Sequence, residues 1–149
     1  MPTLHLIAHD IRSAENVGSL FRTCDSLGVA KLWLTGYTPR PSHRKVAKTA
    51  LGAVASVPWG ESTDVVGVIE KLRADGFRIV GLELDPRAVE LATYRPPDKI
   101  ALLVGNEVDG IPPSLRDLCD DLVMIRQRGI KESMNVSVAT GIAVYSLLN

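Results

Sequence analysis

Five apolar residues in a row, Ile100-Ala101-Leu102-Leu103-Val104, set the tightest limit on what this chain can fold into. The run has no polar side to turn to water, so it reads as a strand buried on both faces. Such a strand needs cover above and below, and the rest of the chain supplies it. Leu4–Ala8, Lys31–Thr35, Phe77–Leu84 and Asp121–Ile125 are further strand candidates. Between them, Val17, Leu20, Phe21, Cys24 and Leu27 recur at helical spacing and Gly28 stands where a C-cap belongs. Val46–Leu51 reads as a short helix stopped by Gly52. Thr63–Ala74 reads as a helix capped by Ser62 or Thr63 and closed by Gly76, and Pro112–Leu118 as a short helix with a proline in its first turn. Val136–Leu148 is apolar throughout and predicts a helix buried nearly all round. Val54–Trp59 reads as extended, and Asp85–Asp98, with three prolines, as loop. Strands alternating with helices predict an α/β domain with a mostly parallel sheet flanked by helices.

A length of 149 residues fits one domain, 1–149, with a core of its own. Basic and acidic residues balance at 17 each, which gives no global nucleic-acid signal. Locally, Arg40, His43, Arg44, Lys45 and Lys48 form one basic cluster and Arg126, Arg128 and Lys131 another. Clusters of this kind serve either as solvated faces or as phosphate contacts. Cys24 and Cys119 form no CxxC pair, so neither zinc nor a disulfide framework is indicated, and a reducing cytoplasm is the expected compartment. A basic, then apolar leader and a membrane-spanning apolar run are both missing from the sequence, so a soluble, non-exported protein with no membrane partner is expected.

In open parallel sheets, ligands bind beyond the carboxyl ends of the strands. Three loops there are rich in polar residues and glycine. The first leads into Asn16-Val17-Gly18-Ser19-Leu20-Phe21-Arg22-Thr23, where Asn16 and Gly18 lie near a helix N-terminus that suits an anion. The second is Val104-Gly105-Asn106-Glu107-Val108-Asp109-Gly110-Ile111, which has neither the P-loop ending nor dinucleotide-turn spacing. The third runs from Arg126 through Glu132-Ser133-Met134-Asn135 into the last helix. Capping accounts for Ser133 or Asn135 but not for the other polar groups around them. His5 and His9 share a strand face without a third ligand, so no metal site is expected. Ser133 lies outside a GxSxG elbow, which argues against a serine hydrolase.

Together and in this order, the three clusters resemble the signature motifs of the SpoU (TrmH-type) RNA 2′-O-ribose methyltransferases of the SPOUT superfamily. NVGSLFRT at Asn16–Thr23 is similar to the first motif, N-x-G-x-x-x-R-T. LVGNEVDGI at Leu103–Ile111 is similar to the second, and GIKESMNVSVA at Gly129–Ala139 to the third. KTALGAVASVPW at Lys48–Trp59 resembles the segment between the first and second. The family commonly opens its third motif with Ile-Pro-Met, where this chain has Ile125-Arg126-Gln127. No separate RNA-binding domain is expected, and in that the chain resembles the minimal, TrmL-like members that modify the tRNA anticodon loop.

The resemblance implies a C-terminal deep trefoil knot, although true knots are nearly absent from proteins at large. It implies S-adenosyl-L-methionine as cofactor, contacted by Leu82, Gly105, Ile125, Ser133 and Met134. The implied reaction is ribose 2′-O-methylation of RNA, tRNA ahead of rRNA, by a homodimer in which Arg22 of one subunit completes the partner's site. Catalysis would fall to Arg22, Ser133, Asn135, Asn16 and Glu107, with Glu107 fixing either Arg22 or the loop. RNA phosphates would meet Arg22, Arg40, Arg44, Lys48, Arg126, Arg128 and Lys131. The competing readings are a non-catalytic RNA-binding relative of the same fold and a flavodoxin-like nucleotide-binding domain.

Overall fold

A computed structural model describes residues 1–131 and 133–149; Glu132, part of the polar run before the last helix, lies outside the described residues. The strands are β1 (Thr3–His9), β2 (Lys31–Thr35), β3 (Trp59–Ser62), β4 (Arg78–Leu82), β5 (Val89–Glu90), β6 (Lys99–Val104) and β7 (Asp121–Met124). The helices are α1 (Ala14–Leu27), α2 (Arg44–Ala50), α3 (Ala53–Ser56), α4 (Val65–Ala74), α5 (Pro113–Arg116) and α6 (Val136–Leu148). All seven strands join one sheet in the order β3-β2-β1-β6-β4-β7-β5, and every pairing is parallel.

The Ile100–Val104 run occupies the middle of that sheet, on β6 between β1 and β4. Ile100, Leu102 and Val104 enter the core shared with α1 and α6, while Ala101 and Leu103 enter the core under α4 and α5. Both faces are therefore covered, as the apolar run demands. Each large side chain buried this way contributes on the order of 1.5–3 kcal/mol.

Helix α1 begins where the Ser13 side chain accepts from the Asn16 N–H at 3.1 Å, and it ends at Gly28, whose φ of 77° returns its N–H to the Cys24 carbonyl. Of the expected stripe, Val17, Leu20, Phe21 and Cys24 are buried and Leu27 is partly buried at its end. Gly18 is not a ligand-binding glycine. A Cβ there would lie 1.8 Å from Thr49 Oγ1 and 2.9 Å from the Ala50 backbone nitrogen, so Gly18 is where α1 and α2 touch.

Local patterns misled at four places. Val54–Trp59 is not one extended piece: α3 takes Ala53–Ser56 and β3 starts at Trp59, because burying Ala53 and Val57 in the core outweighs the strand preference of valine. Helix α4 is capped by Asp64, which accepts from Gly67 N–H at 3.0 Å, while Ser62 ends β3. The proline-rich stretch 85–98 contains edge strand β5, whose two residues are too few to show any alternation. Helix α6 spans the predicted Val136–Leu148 but is not buried all round; Val138, Ile142 and Tyr145 are 53%, 42% and 61% exposed and form one stripe. No helix among the described residues is long and apolar enough to cross a membrane.

Candidate functional site

The carboxyl ends of β4, β6 and β7 and the start of α6 enclose a cavity of about 800 Å³ including its open mouth. Leu82, Gly105, Ile125, Ser133 and Met134 all stand in its wall. Gly105 is required there by close approach. A Cβ would come within 2.6 Å of the Gly110 carbonyl carbon and oxygen, so the turn 105–110 closes on itself only around a glycine. Three of the loops at this end of the sheet were expected to meet, but the loop after β1 contributes nothing to the wall, and the loop after β4 takes its place.

Glu83 was not singled out by the sequence. Its carboxylate accepts from Ile111 N–H at 2.7 Å and Leu84 N–H at 3.1 Å and faces Arg116 at 3.6 Å, so it ties the β4 exit to the turn after β6. The expected strand ran to Leu84 and hid this role; β4 ends at Leu82 and releases Glu83 toward the cavity. Glu83, Glu107 and Asp109 bring three carboxyl groups to the lining, and no lysine or arginine is among the described lining residues. The wall favours a ligand carrying positive charge.

Three motif residues far apart in sequence are joined beside the cavity. Glu107 Oε1 accepts from Arg12 N–H at 2.9 Å, and Oε2 accepts from Ser13 N–H at 2.9 Å and Asn16 Nδ2 at 3.0 Å. Burial alone would raise the Glu107 carboxyl, but these donors outweigh it and hold the group below its ordinary range. Asn16 Oδ1 in turn accepts from Asn135 Nδ2 at 3.4 Å. Asn135 is the N-cap of α6, with Oδ1 accepting from Ser137 N–H at 2.9 Å and Val138 N–H at 3.3 Å. The hydrogen bonds of Glu107 go to residues 12, 13 and 16, at the start of α1 and in the loop before it, and not to Arg22.

Arg22 stands apart from this cavity. It is exposed and lines a shallow cleft with Ser19, Thr23, Ser26, Leu27 and Gly141, with no ion-pair partner among the described residues. Ser133 is exposed at the cavity wall, so a single chain does not bring Arg22 and Ser133 into one pocket. The predicted phosphate contacts divide in two. Arg44, Lys48, Arg128 and Lys131 are exposed, whereas Arg40 faces Glu61 at 3.6 Å and Arg126 is paired to Glu90 of β5. That pair gives Arg126 a structural use, because it fastens the loop after β7 to the edge strand. Gln127 donates to the Ile125 carbonyl at 3.2 Å and lines the cavity. His5 and His9 engage Trp33 and Thr35 in hydrogen bonds, and no cluster of three metal-binding side chains occurs among the described residues.

A parallel sheet with a polar, glycine-walled cavity at its carboxyl edge defines a ligand-binding α/β domain. The model of the SpoU rRNA Methylase family matches residues 3–145, and the chain belongs to that family. It is 34% identical over 143 residues to the 23S rRNA (guanosine-2′-O-)-methyltransferase RlmB of Neisseria meningitidis serogroup B, an alignment covering 96% of this chain and 57% of that protein. It is 32% identical over 146 residues to the tRNA (guanosine(18)-2′-O)-methyltransferase of Aquifex aeolicus, covering 95% of this chain and 67% of the relative. The AdoMet-bound rRNA methyltransferase of Sinorhizobium meliloti superposes with a TM-score of 0.91 at 27% identity, covering 97% of this chain and 55% of that one. The chain thus spans little more than half the length of several relatives that it matches. Family membership sets aside the flavodoxin-like reading.

Proposed function

We propose that this protein is an S-adenosyl-L-methionine-dependent RNA ribose 2′-O-methyltransferase. The observation that carries the reading is the cavity at the carboxyl ends of β4, β6 and β7, whose wall contains Leu82, Gly105, Ile125, Ser133 and Met134. The residues fit the cofactor: apolar Leu82, Ile125 and Met134 line the cavity beside the Gly105–Gly110 turn, and carboxylates without a basic residue in the described lining suit a sulfonium. Relatives named for both 23S rRNA and tRNA support an RNA substrate, and tRNA is the first to test.

When bound, S-adenosyl-L-methionine supplies a methyl group activated by the sulfonium. Leu82, Gly105, Ile125, Ser133 and Met134 would hold the cofactor, which would supply its methyl carbon to the ribose 2′-oxygen, the carbon–sulfur bond breaking and the hydroxyl proton being released. Alignment is a large part of such an in-line displacement. A guanidinium stays protonated at any working pH, so Arg22 acts as an electrostatic stabiliser of the developing alkoxide and grips the neighbouring phosphate. Ser133 holds that phosphate or the arginine. Asn16, bonded to both Glu107 and Asn135, keeps the first and third motifs in register.

The placement of Arg22 outside the Ser133 cavity supports a homodimer in which each arginine serves the other subunit's cavity. The exposed Val138-Ile142-Tyr145 stripe offers the contact surface. A trefoil knot is part of the same reading, supported by family membership and by β7 lying between the earlier strands β4 and β5. The two free cysteines suit a reducing cytoplasm.

Transfer of labelled methyl from S-adenosyl-L-methionine to total tRNA and to rRNA, followed by nucleoside mapping, tests the activity. The expected product is a 2′-O-methylnucleoside; absence of transfer to either RNA while the cofactor still binds would make the protein a non-catalytic relative. Arg22→Ala is expected to lower turnover by about two to three orders of magnitude with cofactor affinity by calorimetry unchanged. Near-normal turnover in that variant would refute the assigned role.

A further inference from the structure

Tyr37, in the loop after β2, belongs to none of the three motifs, yet it reaches the edge of the cavity. Its hydroxyl accepts from Asn106 Nδ2 at 2.7 Å, and Asn106 is a buried member of the cavity wall. The same Nδ2 donates to the Asp10 carbonyl at 2.9 Å, and Asn106 Oδ1 accepts from Val108 N–H and Asp109 N–H. The side-chain tip of Tyr37 is thus fixed to a fully engaged amide.

The backbone of Tyr37 is held as firmly. Its N–H donates to Asp10 Oδ1 at 3.0 Å, and Asp10 adopts φ 52°, a left-handed conformation in which aspartate is one of the few tolerated residues. The next residue, Thr38, is buried; its hydroxyl donates to the Ala8 carbonyl and accepts from Ile11 N–H, each at 3.0 Å. Despite these attachments at tip, backbone and neighbour, Tyr37 is 60% exposed. An aromatic ring kept in water by rigid attachment has already lost the freedom that binding would otherwise take from it. Downstream on the same stretch of chain lie Arg40, His43, Arg44 and Lys48, of which the last three are exposed.

We propose that Tyr37 is a stacking platform for an unpaired nucleobase of the RNA substrate, next to the nucleotide presented at the cavity. Proteins take hold of single-stranded RNA by stacking splayed bases on aromatic rings while basic side chains follow the phosphates. Here the ring is set by Asn106 at the cavity edge, and the basic residues follow in the same loop and in α2. The assignment rests on the RNA methyltransferase reading of the cavity and adds to it a contact that selects for a single-stranded or looped target.

The test compares wild type with Tyr37→Ala, Tyr37→Phe and Tyr37→Trp. Direct binding is measured to unfractionated tRNA and to a single-stranded oligoribonucleotide of about ten nucleotides, alongside cofactor affinity by calorimetry and sedimentation. Tyr37→Ala is expected to weaken both RNA affinities about tenfold and leave cofactor affinity and sedimentation unchanged. Tyr37→Phe and Tyr37→Trp keep a ring and are expected to retain most of the affinity. In the tryptophan variant, added oligoribonucleotide should quench emission in excess of that from Trp33 and Trp59 in wild type, a signal of stacking that does not depend on activity. The proposal is overturned alone if Tyr37→Ala binds RNA like wild type, if Tyr37→Phe loses as much as Tyr37→Ala, or if sedimentation changes because the ring is a subunit contact. Failure of the wild type to bind either RNA overturns it together with the reading on which it rests.

Discussion

Glu107 receives two backbone N–H groups and one side-chain amide on its two oxygens, and no isosteric residue can do the same. In Glu107→Gln one oxygen becomes a donor facing donors, so an exposed or partly buried N–H loses its acceptor, at about 0.5–1.5 kcal/mol. Because its hydrogen-bond donors hold the folded carboxyl below the ordinary value of 4.5, its contribution is present above that value and is lost as pH falls through the lower folded value. Urea denaturation should therefore show Glu107→Gln less stable than wild type at neutral pH, with the gap closing in acid below pH 4.5. The cofactor should also bind the variant less tightly, because Glu107 lines the cavity. Some of the residue scale was legible in sequence. Glu107, Asn16 and Asn135 could be named, but whether Asn135 caps or reacts could not. In the structure it caps α6 with Oδ1 and reaches Asn16 with Nδ2, so one side chain performs a structural and a site-ordering task.

Helices α1 and α2 meet at Gly18, where the neighbouring Thr49 hydroxyl and Ala50 backbone leave no room for a methyl group. Gly18→Ala gains helix propensity of about 1 kcal/mol relative to glycine, yet must push the backbone of α2 away, and overpacking of this kind costs typically 1–3 kcal/mol. The expected outcome of thermal unfolding is a lower melting temperature in Gly18→Ala; an increase would show that α2 yields freely. Sequence spacing placed this glycine on a helix but could not show that a second helix rests on it. The short elements were harder still. Strand β5 exists because Val89 and Glu90 pair with Val123 and Met124 of β7 and because Arg126 anchors Glu90, none of which leaves a local pattern.

For the molecule as a whole, the exposed stripe on α6 is the feature that a single chain leaves incomplete. A helix as apolar as Val136–Leu148 keeps Val138, Ile142 and Tyr145 in water unless another surface covers them. With the proposed homodimer, Ile142→Asp is expected to convert a dimer into a monomer by sedimentation with circular dichroism unchanged, and to abolish methyl transfer while the cofactor cavity persists. A wild type that sediments as a monomer would remove that explanation for the separation of Arg22 from Ser133.

By itself the sequence determined the class of fold, because five consecutive apolar residues at Ile100–Val104 can be satisfied only by cover on both faces, and the helices between the strands provide it. It also determined which three turns carry the family motifs. Tertiary structure alone decided that the loop after β4, not the loop after β1, closes the cavity, that Glu107 serves the α1 loop, and that Arg22 points to a different cleft. The physical reason is range. Burial and helical period are written into neighbouring residues, whereas the contacts from Glu107 to Asn16 and from Asn16 to Asn135 span 91 and 119 residues and depend on the order and register of the strands between them.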